Sequence, residues 1–165
     1  MKIIRTIVVD DEPAARARLV RMLKTDPDIE VVAECRNGAE ALDTIRAENI
    51  DLVYLDIQMP QVNGLELVSK FPPERVPYVV FVTAHDRFAL KAFDLNAVDY
   101  LLKPYDDERF FISLTRAKEL VEMRHNKRLT GRLMDLMQDH LNVRKEYNEV
   151  FVIKEKGREY KVPVK

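Results

Sequence analysis

Four apolar runs of this 165-residue chain each end on residues that can carry charge or donate a hydrogen bond. Asp10 and Asp11 follow the first run, Asp56 a second, Thr83 a third and Lys103 a fourth. Three carboxylates held close together repel one another, so such a cluster needs a cation, and a few hard oxygen ligands suit Mg²⁺. Lys103 would add a compact positive charge for a phosphate oxygen, and Thr83 a hydroxyl donor. Together these residue types predict a site for a phosphoryl group bonded to a carboxylate.

The elements that would bring these residues together follow from the hydrophobic pattern. Runs rich in Val, Ile and Leu predict five strands, and apolar residues at helical spacing lie between them. The predicted strands cover residues 3–9, 29–35, 51–55, 78–82 and 98–102. Because each crossover between parallel strands needs a helix-sized connection, this alternation predicts an α/β fold with a doubly wound, five-stranded parallel sheet. In such a sheet, ligands bind at the carboxyl ends of the strands.

Each of these residues also has an ordinary structural interpretation. Asp10 and Asp11 can cap the first helix, Asp56 can be a turn residue before a proline, Thr83 can cap a helix, and Lys103 can simply end a strand. A short motif taken singly is weak evidence. The ordered appearance of all of them after strands 1, 3, 4 and 5 favours the functional interpretation.

Two other classes of phosphate-handling protein fit the sequence poorly. A phosphohydrolase with an aspartyl nucleophile resembles a D-x-D pattern, whereas the residue two positions after Asp56 is Gln58. A nucleotide-binding domain would need a glycine-rich loop after the first strand to hold phosphates. The sequence there is DDEPAA, whose acids would repel them.

Three segments resemble those of bacterial response-regulator receiver domains: VVDDEPAARARL, VYLDIQMPQVNGLEL and VFVTAHDRFALKAFDLNAVDYLLKP. The resemblance covers residues 3–122 and is specific in residue type, order and spacing. It implies a flavodoxin-like fold and a phosphoacceptor that a histidine kinase phosphorylates. It also implies a protein that is not an enzyme with a separate substrate, and that catalyses at most its own phosphotransfer and dephosphorylation.

The resemblance implies a metal-binding role for the acids. Asp56 would be the phosphoacceptor and a ligand of Mg²⁺, which Asp11 would bind directly and Asp10 through water. The backbone carbonyl of Gln58 would be a further ligand. A degenerate receiver that serves only as a dimerisation module would have lost these acids, and all three are present.

The resemblance also implies a switch. Lys103 would contact the phosphate and be joined to Pro104 by a cis peptide, and Thr83 and Tyr100 would form the switch pair. Phosphorylation adds one to two negative charges. Thr83 would move toward them and Tyr100 would turn inward, which changes the surface of predicted helix 4, strand 5 and helix 5. That surface would control formation of a homodimer.

Charge, cysteine content and hydropathy limit where the protein is expected to act in the cell. The net charge is −1, but residues 1–122 carry 16 basic and 22 acidic side chains, whereas residues 123–165 carry 11 and 6. The lone Cys35 excludes an internal disulfide and fits a reducing compartment. No apolar stretch is long enough to span a bilayer and the N-terminus lacks a secretory pattern. We therefore expect a cytoplasmic protein without a membrane partner.

An apolar stripe at helical spacing continues from Phe110 to Leu141, which predicts an extended C-terminal helix longer than the sheet. Gly131 weakens such a helix by about 1 kcal/mol, so a break near residues 125–132 is expected. The helix either overhangs into solvent or pairs with a second subunit. Four basic residues on it fit a solvated face better than a DNA contact: Arg124, Lys127, Arg128 and Arg132.

The segment VFVIKEKGREYKVPVK alternates and turns at Lys156-Gly157, which predicts a short β-hairpin. It resembles the opening of the LytTR type of DNA-binding domain, and residues 83–110 resemble receivers that precede that domain. This implies a receiver at 1–122, a helical linker at 123–148, and at 149–165 the start of a truncated output domain of a transcription regulator. DNA would be bound by the full-length output and not specifically by this chain. A non-DNA-binding effector or a dimerisation module is the alternative output.

Overall fold

A five-stranded parallel sheet forms the centre of the computed structural model, which describes residues 2–88, 97–149, 151–155 and 158–162. The strand order is β2-β1-β3-β4-β5, and every pairing is parallel. The strands are β1 (Ile4–Val9), β2 (Ile29–Cys35), β3 (Leu52–Asp56), β4 (Tyr78–Thr83) and β5 (Asp99–Leu102). The predicted parallel sheet is confirmed.

The connections between the strands are helical. They are α1 (Pro13–Leu23), α2 (Gly38–Ala47), α3 (Gly64–Ser69) and a 3₁₀ turn (Asp86–Phe88), and a long helix (Asp107–Glu149) follows β5. Predicted helix 4 falls mostly on residues 89–96, which lie outside the described residues. None of the described helices combines the length and the hydropathy that a bilayer span requires.

The extended C-terminal helix is confirmed, but the break expected near residues 125–132 is wrong. The long helix is continuous through Gly131. A single glycine costs a helix only about 1 kcal/mol, and its neighbours are mostly Arg, Lys, Leu and Met, which are good helix formers. The flanking residues therefore outweigh the glycine.

The core lies on both faces of the sheet. Successive side chains of a strand point to opposite faces, so Leu52 and Tyr54 of β3 join one apolar cluster while Val53 and Leu55 join the other. The first cluster contains residues of α1 and of the long helix, and the second contains residues of α2 and α3. All five residues of β3 are buried, because this central strand is covered on both sides.

The chain forms two compact units, Met1–Glu122 and Met123–Lys165. The second contains the C-terminal part of the long helix and an antiparallel pair, β6 (Phe151–Glu155) and β7 (Arg158–Val162). This pair agrees with the predicted hairpin, whose turn lies outside the described residues. The assignment of residues 123–148 as a linker and 149–165 as the start of an output domain stays a prediction.

Gly64 at the start of α3 has no room for a side chain. A Cβ there would lie 2.5 Å from the Asp56 carbonyl oxygen and 2.9 Å from the Ile57 Cα. We expect Gly64→Ala to lower the free energy of unfolding by about 1–3 kcal/mol, because main-chain atoms must move to admit the methyl group. Urea titration followed by circular dichroism measures this.

Gly131→Ala is the matched control. Nothing lies within 4 Å of a Cβ at this helical position, so alanine should leave stability unchanged or raise it by up to about 1 kcal/mol. Equal urea midpoints for Gly64→Ala and the wild type would contradict the close approach of α3 to the chain after Asp56.

Candidate functional site

Three carboxylates converge where β1 and β3 end. Val9 pairs with Leu55 in the parallel register, so the next residues, Asp10 and Asp56, emerge side by side. Together with Asp11, each offers an oxygen, and these oxygens all lie within 4.8 Å of one another. That spread is slightly wider than the roughly 4 Å between opposite oxygens around Mg²⁺. The donor set is made of hard oxygens and fits a divalent cation of this kind.

The acids differ in their exposure to solvent. Asp10 is fully buried, Asp56 is 6% exposed, and Asp11 is the most accessible of the three. Asp10 Oδ1 accepts a hydrogen bond from the Glu12 amide at 2.9 Å and thereby orders the turn before α1. The helix itself begins after Glu12, whose side chain makes no capping hydrogen bond. Asp10 therefore does not cap α1 and only orders the turn before it. Its second oxygen, Oδ2, remains available for other contacts.

Lys103 brings a positive charge from β5 to the same rim. Its Nζ lies 3.0 Å from Asp10 Oδ2 and 3.6 Å from Asp56 Oδ2. The main chain is fixed there because the Lys103 amide donates to the Thr83 carbonyl at 2.7 Å, and the peptide to Pro104 is cis. The structure therefore joins the predicted phosphate contact to two of the predicted acids.

The protonation of the site reflects this crowding. Burial raises the pKa of Asp56 to about 7, which Lys103 opposes and the charges of Asp10 and Asp11 reinforce. Burial lowers the pKa of Lys103, but its hydrogen bond to Asp10 and the charges of Asp56 and Asp10 outweigh that effect and raise it. Near neutral pH, Asp56 therefore exchanges between its protonated and ionised forms, and a bound cation would favour the ionised form.

The chain after Asp56 borders an open cleft of about 410 Å³. The Gln58 amide donates to Asp56 Oδ1 at 3.1 Å, so the turn also orients the carboxylate. The cleft is lined by Ile57, Gln58, Met59, Pro60, Asn63 and Arg87. The role of the Gln58 carbonyl as a metal ligand stays a prediction.

Thr83 and Tyr100 both contact the loop after β4. The Thr83 hydroxyl is buried and accepts from the His85 amide at 3.3 Å. The Tyr100 hydroxyl donates to the His85 carbonyl. Asp56 pairs with Val82 across β3 and β4, so Thr83 stands one residue further along the rim. The structure thus brings the two predicted switch residues to one loop next to the acids.

Sequence reasoning missed Arg109, which reaches back from the long helix to β5. Its two terminal nitrogens contact the Asp99 carboxylate at 2.6 and 2.7 Å. The hydrophobic pattern places Asp99 in a strand, and no motif or helical spacing joins residues ten apart across a turn. A buried charge in a predicted strand was the available signal, because such a charge needs a partner.

Comparison with known proteins decides the family. The family model described as "response regulator receiver domain" matches residues 6–115. The chain belongs to the response regulator receiver family. It is therefore the receiver domain of a two-component response regulator, and receiver domains are typically signalling modules.

The receiver is similar to a transcriptional regulator. It is 46% identical over 116 residues to the transcriptional regulatory protein BtsR of Escherichia coli, a match that covers 70% of this chain and 48% of BtsR. The chain thus spans about half the length of this relative.

Two solved receiver structures resemble this one. The response regulatory domain of mrkE from Klebsiella pneumoniae superposes with a TM-score of 0.67 at 32% identity, covering 73% of this chain and 99% of that one. The response regulator TrrA from Thermotoga maritima, in complex with Mg²⁺ and beryllofluoride, superposes with a TM-score of 0.61 at 30% identity, covering 71% and 99%. The likeness extends over nearly the whole of both solved chains.

The raised pKa of Asp56 predicts a pH-dependent stability. Its folded pKa of about 7 lies above the ordinary 3.8, so protonated Asp56 stabilises the fold fully below 3.8 and loses that contribution as pH rises through 7. Relative to Asp56→Asn, wild-type stability without metal should fall by up to about 4 kcal/mol between about pH 4 and 8, since the shift is about three pKa units and each is worth about 1.4 kcal/mol.

Denaturant titrations of both proteins across this pH range make the measurement. Asp43→Asn is the control, because Asp43 is an exposed acid on α2. A constant difference between wild type and Asp56→Asn over the whole range would contradict the electrostatic description of the site.

Proposed function

We propose that Asp56 accepts a phosphoryl group from a sensor histidine kinase, in a reaction that requires Mg²⁺. The observation that carries this proposal is the cluster of Asp10, Asp11 and Asp56 with Lys103 in contact with two of them. Three carboxylates around one point repel one another and so do not stabilise a fold, whereas a phosphoryl-transfer site needs them to hold a cation. The complex of TrrA with Mg²⁺ and beryllofluoride supports the same chemistry in a relative.

The metal-binding set would be Asp11 and Asp56 by direct contact, Asp10 through water, and the Gln58 backbone carbonyl. When bound, Mg²⁺ would neutralise the carboxylates and coordinate a phosphoryl oxygen. The acids of this chain supply hard oxygen ligands on two neighbouring strands. Their positions are fixed by the sheet register and so exist before a cation or a phosphodonor arrives.

In the proposed transfer, an ionised Asp56 oxygen attacks the phosphorus of a phosphohistidine. A P–O bond forms, the P–N bond breaks, and the leaving imidazole takes up a proton. Lys103 and the Thr83 hydroxyl would contact the phosphoryl oxygens as negative charge shifts onto the acceptor. Because the product is a modified Asp56, the protein is itself the substrate and turns over no other, apart from hydrolysis of its own aspartyl phosphate.

The switch would begin at Thr83. In the structure its hydroxyl accepts from the His85 amide, and movement of Thr83 toward the phosphoryl group would lengthen that contact. The Tyr100 hydroxyl donates a hydrogen bond to the carbonyl of His85. Movement of this loop would therefore release Tyr100 to turn inward, and the equilibrium shifts by the free energy with which phosphorylation favours that state.

The readout surface would be a homodimer interface. Leu102 on β5 and Phe111 and Ile112 on the long helix are 45%, 40% and 42% exposed, and all three belong to the predicted strand 5 and helix 5 surface. Large apolar side chains grouped on a surface favour association with another protein. A change at Tyr100, two residues before Leu102, would alter this surface.

The output of the protein would be transcriptional. BtsR, a transcriptional regulatory protein, supports a transcriptional role. In the proposed arrangement, residues 1–122 would be the receiver, 123–148 a helical linker and 149–165 the first part of a DNA-binding output domain of the LytTR type. This chain alone would not bind DNA specifically, and the protein would act in the cytoplasm. An effector that does not bind DNA, or a dimerisation module, is the alternative output.

Asp56→Asn tests the proposal. We expect acetyl phosphate with Mg²⁺ to phosphorylate the wild type and to leave Asp56→Asn unlabelled, because the amide is not a nucleophile. Intact-protein mass spectrometry measures the added phosphate, and Asp43→Asn, which alters an exposed acid on α2, should label like the wild type. Full labelling of Asp56→Asn would contradict the assignment.

Sedimentation velocity tests the dimer. With Mg²⁺ and beryllofluoride as a stand-in for the phosphoryl group, the wild type should sediment as a dimer, whereas Ile112→Asp should remain a monomer because burying the new charge is unfavourable. Ile3→Asp is the control, since Ile3 is equally accessible at 47% but precedes β1. A wild type that stays monomeric in both states would overturn the dimer proposal.

A further inference from the structure

An ion pair between a buried carboxylate and a partly exposed guanidinium joins β5 to the long helix close to Tyr100. Asp99 is 6% exposed, and its two oxygens contact Arg109 Nη1 and Nη2 at 2.7 and 2.6 Å. Two parallel contacts of this kind fix the guanidinium in both distance and direction. Strand β5 is the last in the sheet order, so within the sheet it is held by β4 on one side only.

The same two side chains also hold the main chain of Tyr100. Asp99 Oδ1 accepts from the Tyr100 amide at 2.8 Å, and Arg109 Nη2 donates to the Tyr100 carbonyl at 3.2 Å. The Tyr100 hydroxyl, at the other end of the residue, donates to the His85 carbonyl. Tyr100 is therefore fixed at its backbone by the long helix and at its ring by the loop after β4.

We infer that Arg109 is a positioning residue for the switch: by holding Asp99 and the Tyr100 carbonyl together, it keeps the Tyr100 backbone still so that the ring alone responds to Asp56. The inference rests on the proposed function, because it assumes that the loop at His85 moves when Asp56 is phosphorylated. A side chain whose backbone is fixed has two distinct ring positions. If β5 could shift as well, it would absorb part of the movement of the loop after β4. The Tyr100 ring would then move less.

Arginine is suited to this role and lysine is not. The planar guanidinium presents several N–H groups in fixed directions, so it can contact both carboxylate oxygens and a carbonyl at once. An ammonium at position 109 could still pair with Asp99 as a point charge. Arg109→Lys therefore preserves the charge pair while removing the link between Asp99 and the Tyr100 carbonyl.

Arg116 and Lys118 of the long helix provide matched controls. Arg116 Nη1 lies 3.3 Å from Asp99 Oδ2, and among the described contacts it has no hydrogen bond to Tyr100. Lys118 pairs with Asp26 at 2.7 Å and Asp28 at 3.0 Å, on the side of α1 and β2. Arg116→Lys controls for the charge around Asp99, and Lys118→Ala for loss of an ion pair elsewhere on the helix.

The test is NMR of the full chain with tyrosine labelled by ¹⁵N in the amide and ¹³C in the ring. The chain has six tyrosines, and Tyr100→Phe assigns the signals of Tyr100. Spectra are recorded with Mg²⁺ alone and with Mg²⁺ and beryllofluoride. Phosphorylation of Asp56 by acetyl phosphate is measured in parallel by mass spectrometry.

In the wild type, beryllofluoride should shift the Tyr100 ring signal strongly and its amide signal little. In Arg109→Lys and Arg109→Ala, the ring shift should fall to less than about half, and the amide should move or broaden even without beryllofluoride, because the backbone now samples other states. Phosphorylation should stay within about twofold of the wild type. Arg116→Lys and Lys118→Ala should respond like the wild type.

The remaining outcomes distinguish failure of the Arg109 inference from failure of the proposed phosphorylation of Asp56. A wild-type Tyr100 response in both Arg109 variants would overturn the inference, and so would a phosphorylated wild type whose Tyr100 ring does not shift. If lysine restored the full response, charge alone would suffice and the positioning role would be wrong. Absence of phosphate on wild-type Asp56 would instead overturn the proposed function, which mass spectrometry detects independently of NMR.

Discussion

The burial of neighbouring carboxylates at one edge of the sheet is the constraint on which the candidate site depends. Asp10 and Asp56 are buried side by side, and Lys103 lies 3.0 and 3.6 Å from their oxygens. Burial raises the pKa of Asp56 to about 7; the charge of Lys103 opposes this shift, and the charges of Asp10 and Asp11 add to it. Added positive charge would therefore stabilise the site, and a bound cation would favour the ionised form of Asp56.

The sheet holds this unfavourable arrangement in place. The parallel register delivers Asp10 and Asp56 from adjacent strands, and two buried apolar faces secure those strands. Gly64 allows α3 to approach the main chain at Asp56, which fixes the turn that orients the carboxylate. Beyond the acids, Thr83 and Tyr100 contact one residue, His85, so the ends of β4 and β5 are joined through one loop.

The parts of the fold that depend on hydrophobic periodicity and on the order of strands along the chain could be predicted from the sequence. Buried parallel strands are continuous apolar runs, and their carboxyl ends meet at one edge, so the sheet and the meeting of Asp10, Asp11 and Asp56 could be predicted. The roles of those residues in metal binding and phosphotransfer stay predictions. The continuity of the long helix through Gly131 was not predicted, because the cost of one glycine was weighed without the propensity of its neighbours.

Contacts set by tertiary geometry could not be predicted. The pairing of Arg109 with Asp99 depends on how the turn after β5 returns the chain to the sheet, and no sequence spacing encodes that path. The contacts of Thr83 and Tyr100 with His85 likewise depend on the main chain of a loop. These contacts link the acids to the surface that would carry the signal.

The most direct test of the account is to locate the phosphate chemically. Wild-type protein phosphorylated by acetyl phosphate in Mg²⁺ is reduced with borohydride, which converts an aspartyl phosphate to homoserine, and the peptides are then sequenced by mass spectrometry. We expect homoserine at position 56, and none in a sample prepared with a chelator in place of Mg²⁺. Homoserine at Asp10 or Asp11, or labelling that persists without metal, would contradict it.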